Sequence, residues 1–302
     1  KGMASATDKN LTGGLLYGVG DNRRALGLLA NTVVNGNTVE TGYYEMGDKL
    51  ELVRKDDAET AGLIRSKFAI PQQVVSIENS SVLIVDDLGR RWRLPLGDKA
   101  YTSLTNEGQL RICREVATER DLFSCMGTFY ELPAENADGY AKIRPVSTHN
   151  YRINDYASYR GMLVLTGVNP EEGKDNEHVI VSNDGKAAVW VGVIDDLWQL
   201  GKPLGKGGPW KDTSVKAGIP SDPYLIGFYD RKKLTLSHQS ADDITFTIEA
   251  DPTGNGDWME YMVRKVKAGE KWTYEFPAEF QARWIRFSTD EDTKATAWLE
   301  YK

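Results

Sequence analysis

The chain has 302 residues, with 37 Lys plus Arg against 44 Asp plus Glu and a formal net charge of −7. That length allows a sizeable core, and 40% hydrophobic with 27% charged residues excludes wholesale disorder. The acidic balance argues against a nucleic-acid or anionic-membrane surface, both of which need clustered Lys and Arg. No apolar run reaches the ~20 residues of a membrane span, and the ends read as free of a signal peptide, as a mature secreted chain also would.

Short runs rich in Val, Ile, Tyr, Phe and Trp, punctuated by Gly, Asn, Asp and Pro, predict strands along the whole chain. The first are expected at 25–30, 39–44, 82–85 and 91–94, with one helix over 56–67 that Asp56 or Asp57 can cap. The run 122–130 carries Cys125, a small buried hydrophobe with no cation beside it in sequence. Cys113 and Cys125 together make neither a disulfide framework nor a CxxC half-site. Strands at 161–167, 178–182, 187–194 and 196–200, with the turn Asn183-Asp184-Gly185, read as an antiparallel meander. The Gly- and Pro-dense stretch 201–222 reads as a long ordered loop. A second meander is expected from 223–229, 234–238, 244–249 and 260–266, and looser copies start near 122 and 283.

A four-strand meander recurring every roughly 40–60 residues predicts an all-β fold, a β-propeller of about five to seven antiparallel blades. The whole chain, 1–302, is then a single propeller-type domain. The competing plan is two β-sandwich domains, the second beginning near Asp243.

Blade geometry would gather acids that stand at the starts or ends of strands. Asp121, Glu131, Asp155, Asp196 and Asp222 are the candidate catalytic carboxylates, because hydrolysis of a glycosidic bond ordinarily uses a pair. Ordinary turn chemistry also places Asp at strand ends. Trp198, Trp210 and Tyr224 are candidate sugar-stacking residues, with Trp210 in its expected loop the best placed to be exposed; Tyr151, Tyr156 and Tyr159 crowd the same part of the chain. Trp190, inside a strand, reads as core. Arg160 and His149 are the candidates for orienting substrate, with Arg120 and Arg144 as further cations. His149, His178 and His238 lack zinc spacing, and the loop Asp251–Asp257 departs from the calcium-loop pattern and reads as a hairpin turn. No metal and no cofactor are expected.

The stretches Arg120-Asp121-Leu122-Phe123, 127–133, 158–167 and Gly208-Pro209-Trp210-Lys211-Asp212 resemble propeller-like proteins of glycan-degrading gut bacteria. The resemblance spans most of the chain from about Leu15 and implies export, to a secreted or periplasmic location, and a role near polysaccharide breakdown. No catalytic residue is carried over from it. The expected partner is therefore an oligosaccharide or polysaccharide. Either a carboxylate pair cleaves it or the aromatics bind it without cleavage; the remaining alternative is a protein-interaction scaffold.

Overall fold

The computed structural model describes residues 2–5, 7–67, 75–101, 113–117, 120–173 and 175–302, and these form an all-β chain of mostly antiparallel sheets. Strands β1 (Leu11–Val19), β2 (Ala25–Val34), β3 (Asn37–Met46) and β4 (Leu52–Lys55) pair in sequence order as a four-stranded meander. Helix α1 (Ala58–Lys67) follows where the pattern places it. Asp57 is its cap, accepting the Thr60 backbone N–H at 2.9 Å and the Thr60 hydroxyl at 2.6 Å.

Next come β5 (Val75–Ile77), β6 (Val82–Val85), β7 (Arg91–Leu94), β8 (Cys113–Ala117), β9 (Arg120–Cys125), β10 (Thr128–Pro133) and β11 (Arg144–Thr148). Strands β12 (Tyr156–Tyr159), β13 (Met162–Leu165), β14 (Val179–Val181) and β15 (Ala188–Gly192) make a second four-stranded sheet, in the order β12-β13-β15-β14. The stretch expected as its last strand, 196–200, instead falls largely in the 3-10 helix Ile194–Gln199. The Asp196 carboxylate accepts the Val193 N–H at 2.8 Å, a local bond that competes with strand pairing. Tyr156–Tyr159 supplies the fourth strand instead.

The chain divides into two compact units. One comprises Lys1–Gln72, Asp98–Phe129 and Thr148–Gly201; the other comprises Gln73–Gly97, Tyr130–Ser147 and Lys202–Lys302. In the first unit, Leu16, Leu28, Tyr44 and Met46 of the first sheet pack with Ala157, Tyr159, Val164 and Val189 of the second. Each fully buried Leu or Val contributes about 2 kcal/mol of hydrophobic stabilisation. On the other face of the first sheet, Leu15, Leu29 and Tyr43 bury against Ala61 and Ile64 of α1. These are the four-stranded antiparallel sheets expected of propeller blades.

The second unit pairs its strands out of sequence order. Strands β16 (Gly205–Val215), β17 (Tyr224–Leu225), β18 (Lys232–His238), β19 (Ile244–Asp251), β20 (Met259–Val266), β21 (Trp272–Glu275), β22 (Trp284–Thr289) and β23 (Thr293–Tyr301) fall into two sheets. One has the order β16-β23-β18-β21, the other β20-β19-β22-β17-β7-β6-β5. The meander expected over 223–266 is thus split between sheets. Burial alternates strictly along β18 and β23, so each presents one apolar face inward. The two layers meet through Trp210 against Phe287, His238 against Phe246, and Tyr261 against Tyr274. Residues 205–302 therefore contribute to a sandwich of two layers; the competing expectation had a second sandwich begin near Asp243, whereas β16, β17 and β18 before it already belong to these layers.

The supposed loop 201–222 holds the edge strand β16. Its glycines are there for close approach: a Cβ on Gly208 would overlap the Ala297 carbonyl of β23. Register shifts flank Trp210, so glycine and proline mark bulges of an edge strand where the sequence suggests a loop. Among the described residues, no helix is long and apolar enough to cross a membrane.

Candidate functional site

Period-two alternation builds a pocket on one face of the second sheet. Val189 and Val191 turn toward the first sheet, so Trp190 and its cross-strand partner Leu165 face the other way. There they line a cavity of about 250 Å³ with Tyr151, His178, the 3-10 helix residues Asp196, Leu197 and Gln199, and Leu200 just after them. The His178 ring stacks on Trp190 at 5.1 Å and 19°. Gly192 is required at the end of β15, because a Cβ there would collide with the Trp190 ring and the Asp196 carboxylate.

His178 is fixed by its strand register. Val191 donates its N–H to the His178 carbonyl at 2.7 Å, and the His178 Nδ1 lies 2.8 Å from the Val191 carbonyl oxygen. A carbonyl only accepts, so Nδ1 carries a proton, and Nε2 is the ring nitrogen left for a ligand. Asp196 offers the pocket its carboxylate, with Oδ2 engaged by Val193. Trp198, on the same short helix, is 52% exposed.

Of the five candidate acids, Asp196 lines this pocket; the others serve elsewhere. Asp155 is fully buried, its Oδ2 accepting the Leu16 N–H and its Oδ1 the Tyr156 N–H, each at 2.7 Å. Leu16 lies in β1 at the end of the first sheet's strand order, and this carboxylate is committed to its backbone amide. Asp121 stands in β9 opposite Glu115, in the first unit. Glu131 and Asp222 belong to the second unit, where both pair with arginine. Arg144 donates to Glu131 at 3.0 and 2.5 Å, and Asp222 receives Arg91 at 3.0 Å and Arg93 at 2.7 Å.

Two of the proposed stacking residues are corrected by burial. Trp210 is 6% exposed in β16, packed on Phe287, and Tyr224 is fully buried in β17 near Tyr301, its phenol pushed well above the usual range by desolvation. Neither ring has a face for a ligand. Arg160 pairs with Asp48 and lies over the Tyr159 ring, away from the Trp190 pocket. The Arg120 side chain lies outside the described residues. Tyr156 and Tyr159 are also structural, donating their hydroxyls to the carbonyls of Leu122 and Arg24, each at 2.7 Å. Cys125 is buried, and burial pushes its thiol up to about 12.

His149 stands behind the pocket wall. Its Nδ1 accepts the Tyr151 N–H at 3.2 Å, and the two rings stack at 6.2 Å and 16°. It is 1% exposed, packed on Phe129, and desolvation lowers its imidazole to about 4.

Among the described residues, no group of three or more His, Cys, Asp or Glu is placed to hold a metal ion. The loop joining β19 to β20 shows why its calcium-like composition means something else. Asp251 accepts N–H groups from Thr253, Gly254 and Gly256 at 3.1, 2.8 and 2.7 Å. The Lys142 ammonium donates to the Thr253 carbonyl at 2.7 Å and to Asn255 Oδ1, so a built-in cation already occupies those oxygens.

His178 and Gln199 were not legible as site residues in the sequence. Their place depends on the β14–β15 register and on a helix where a strand was expected, and no local pattern encodes either.

No family model matches the sequence, and no curated protein is similar to it. Among solved structures the chain is similar to the GH32 beta-fructofuranosidase BmSUC1 of Bombyx mori, at 9% identity and a TM-score of 0.22, covering 97% of this chain and 80% of that one. A mutant of the same enzyme in complex with sucrose gives 10% identity and a TM-score of 0.20, covering 92% and 77%. A glycoside hydrolase gives 12% identity and a TM-score of 0.19, covering 96% and 83%. Scores at this level assign no function.

Proposed function

We propose that the chain binds carbohydrate through the Trp190 pocket of its first unit. The observation that carries this reading is the make-up of the cavity: aromatic walls from Tyr151, Trp190 and His178, with polar groups from Asp196 and Gln199. Flat apolar faces suit the C–H faces of a sugar ring, and the convergent polar groups suit its hydroxyls. Exposed Trp198 on the adjoining helix would extend the platform to a neighbouring ring. On this reading the protein works outside the cytoplasm, where polymeric glycans are met.

Calorimetric titration with a panel of oligosaccharides tests it. At least one should bind saturably, and Trp198→Ala should weaken that binding about tenfold, the loss of one stacking contact. Absence of binding across the panel, or full affinity in the variant, would count against the pocket as the site.

Glycosidic hydrolysis is the second reading, favoured by the carboxylate of Asp196 in the same cavity. It needs a partner carboxyl group ~5 Å away for a retaining or ~6.5–9.5 Å for an inverting reaction. Release of reducing ends that disappears in Asp196→Asn would establish it.

A further inference from the structure

The pocket's polar chemistry is one-sided. Among the described residues lining it, Asp196 is the one carrying a formal charge, and no Lys or Arg is present. Its Oδ2 is committed to the Val193 N–H at 2.8 Å, which leaves Oδ1 to accept from a ligand. His178 is held with Nδ1 toward the Val191 carbonyl at 2.8 Å, so Nε2 is the ring nitrogen left to face a ligand. The electron-rich rings of Trp190 and Tyr151 complete the walls, and such faces attract cations.

We infer that this pocket selects by charge, taking a sugar unit that carries an ammonium group and rejecting uronic acids. An ammonium brings three donors and a positive charge to a site that offers a carboxylate oxygen and the faces of aromatic rings. A uronate carboxylate brings acceptors alone and sets like charge against Asp196, with no Lys or Arg in the lining to offset it. A cavity of about 250 Å³ fits one such ring and not a long polymer segment. The inference rests on the carbohydrate reading of the pocket and adds the class of sugar.

Three disaccharides of nearly equal size separate the possibilities by calorimetry at about pH 6.5. They are a glucosamine dimer with free amines, its N-acetylated counterpart, and a digalacturonate. The free-amine dimer should bind at least tenfold more tightly than the acetylated one, and digalacturonate should give no saturable binding. Asp196→Asn keeps an oxygen for the Val193 N–H and removes the charge, so it should bring the two dimers within about twofold of each other. A preference that survives in Asp196→Asn comes from the general attraction of an acidic protein for amines and overturns the inference. Digalacturonate binding as tightly as the free-amine dimer overturns it too. Equal binding of all three disaccharides ends the charge selection and leaves the carbohydrate reading standing. No binding by any of them, or by neutral oligosaccharides, ends both.

Discussion

His149 is where pH enters the first unit. The folded ring titrates near 4, below the ~6.5 of an unfolded histidine, because it is buried among Phe129, Tyr101 and Tyr151. The unfolded chain therefore takes up this proton first on acidification. The stability linked to neutral His149 is fully present above about 6.5 and is lost as pH falls toward 4, by about 3 kcal/mol. Denaturant melts at several pH values should show this decline, and His149→Phe should remove that part of it; an identical pH dependence in the variant would assign the effect to other groups. Asp155 illustrates a different case, a carboxyl group committed to the fold. Its two oxygens answer the amides of Leu16 and Tyr156, and an unmet buried amide costs about 1–3 kcal/mol. In sequence, an aspartate that holds a strand edge and one that lines a cleft look the same.

The decisive element is the end of β15 with the 3-10 helix that follows. Gly192 lets the Trp190 ring and the Asp196 carboxylate lie against bare backbone, and Val193 then ties that carboxylate down at 2.8 Å. Gly192→Ala should displace the ring, lower stability by about 1–3 kcal/mol and abolish binding at the pocket. Thermal melting with near-ultraviolet circular dichroism reads both effects; an unchanged aromatic spectrum would show that the ring had not moved. The edge strand β16 teaches the complementary lesson. Gly207, Gly208 and Pro209 look like loop residues, yet close approach to the Ser80 carbonyl at Gly207 and to β23 at Gly208 requires glycine, and bulges accommodate the proline. Trp210 is carried inward with the strand, which is why its expected exposure fails. Helix α1, by contrast, was legible because Asp57 and Thr60 form its cap within four residues.

At the scale of the molecule, each unit is assembled from three separate stretches of chain. No single cut of the polypeptide separates them. The second unit needs strands from its early segment: Tyr224 pairs with Arg93 across a parallel bridge, and Trp92 packs on Trp284 with ring centroids 4.8 Å apart. A fragment of residues 202–302 holds β16 to β23 and lacks β5 to β7. It should expose the otherwise buried Trp284 and Tyr224 and bind a hydrophobic dye that the full chain does not. Dye fluorescence comparable to that of the full chain would show that the C-terminal sandwich closes by itself.

Composition and period-two alternation were enough to determine an all-β protein, many of its strands and the capped helix, since those depend on neighbours close in sequence; the first and last strands of the first sheet, and the strand Tyr156–Tyr159 that replaces 196–200 in the second, were not read from them. Which strands pair across the second unit, and which acids face a cavity, were decided by contacts over long separations, such as Arg93 with Asp222 and Leu16 with Asp155. A carboxylate's role depends on whether an amide, a guanidinium or open space stands opposite it, and only the assembled backbone brings that counterpart into place.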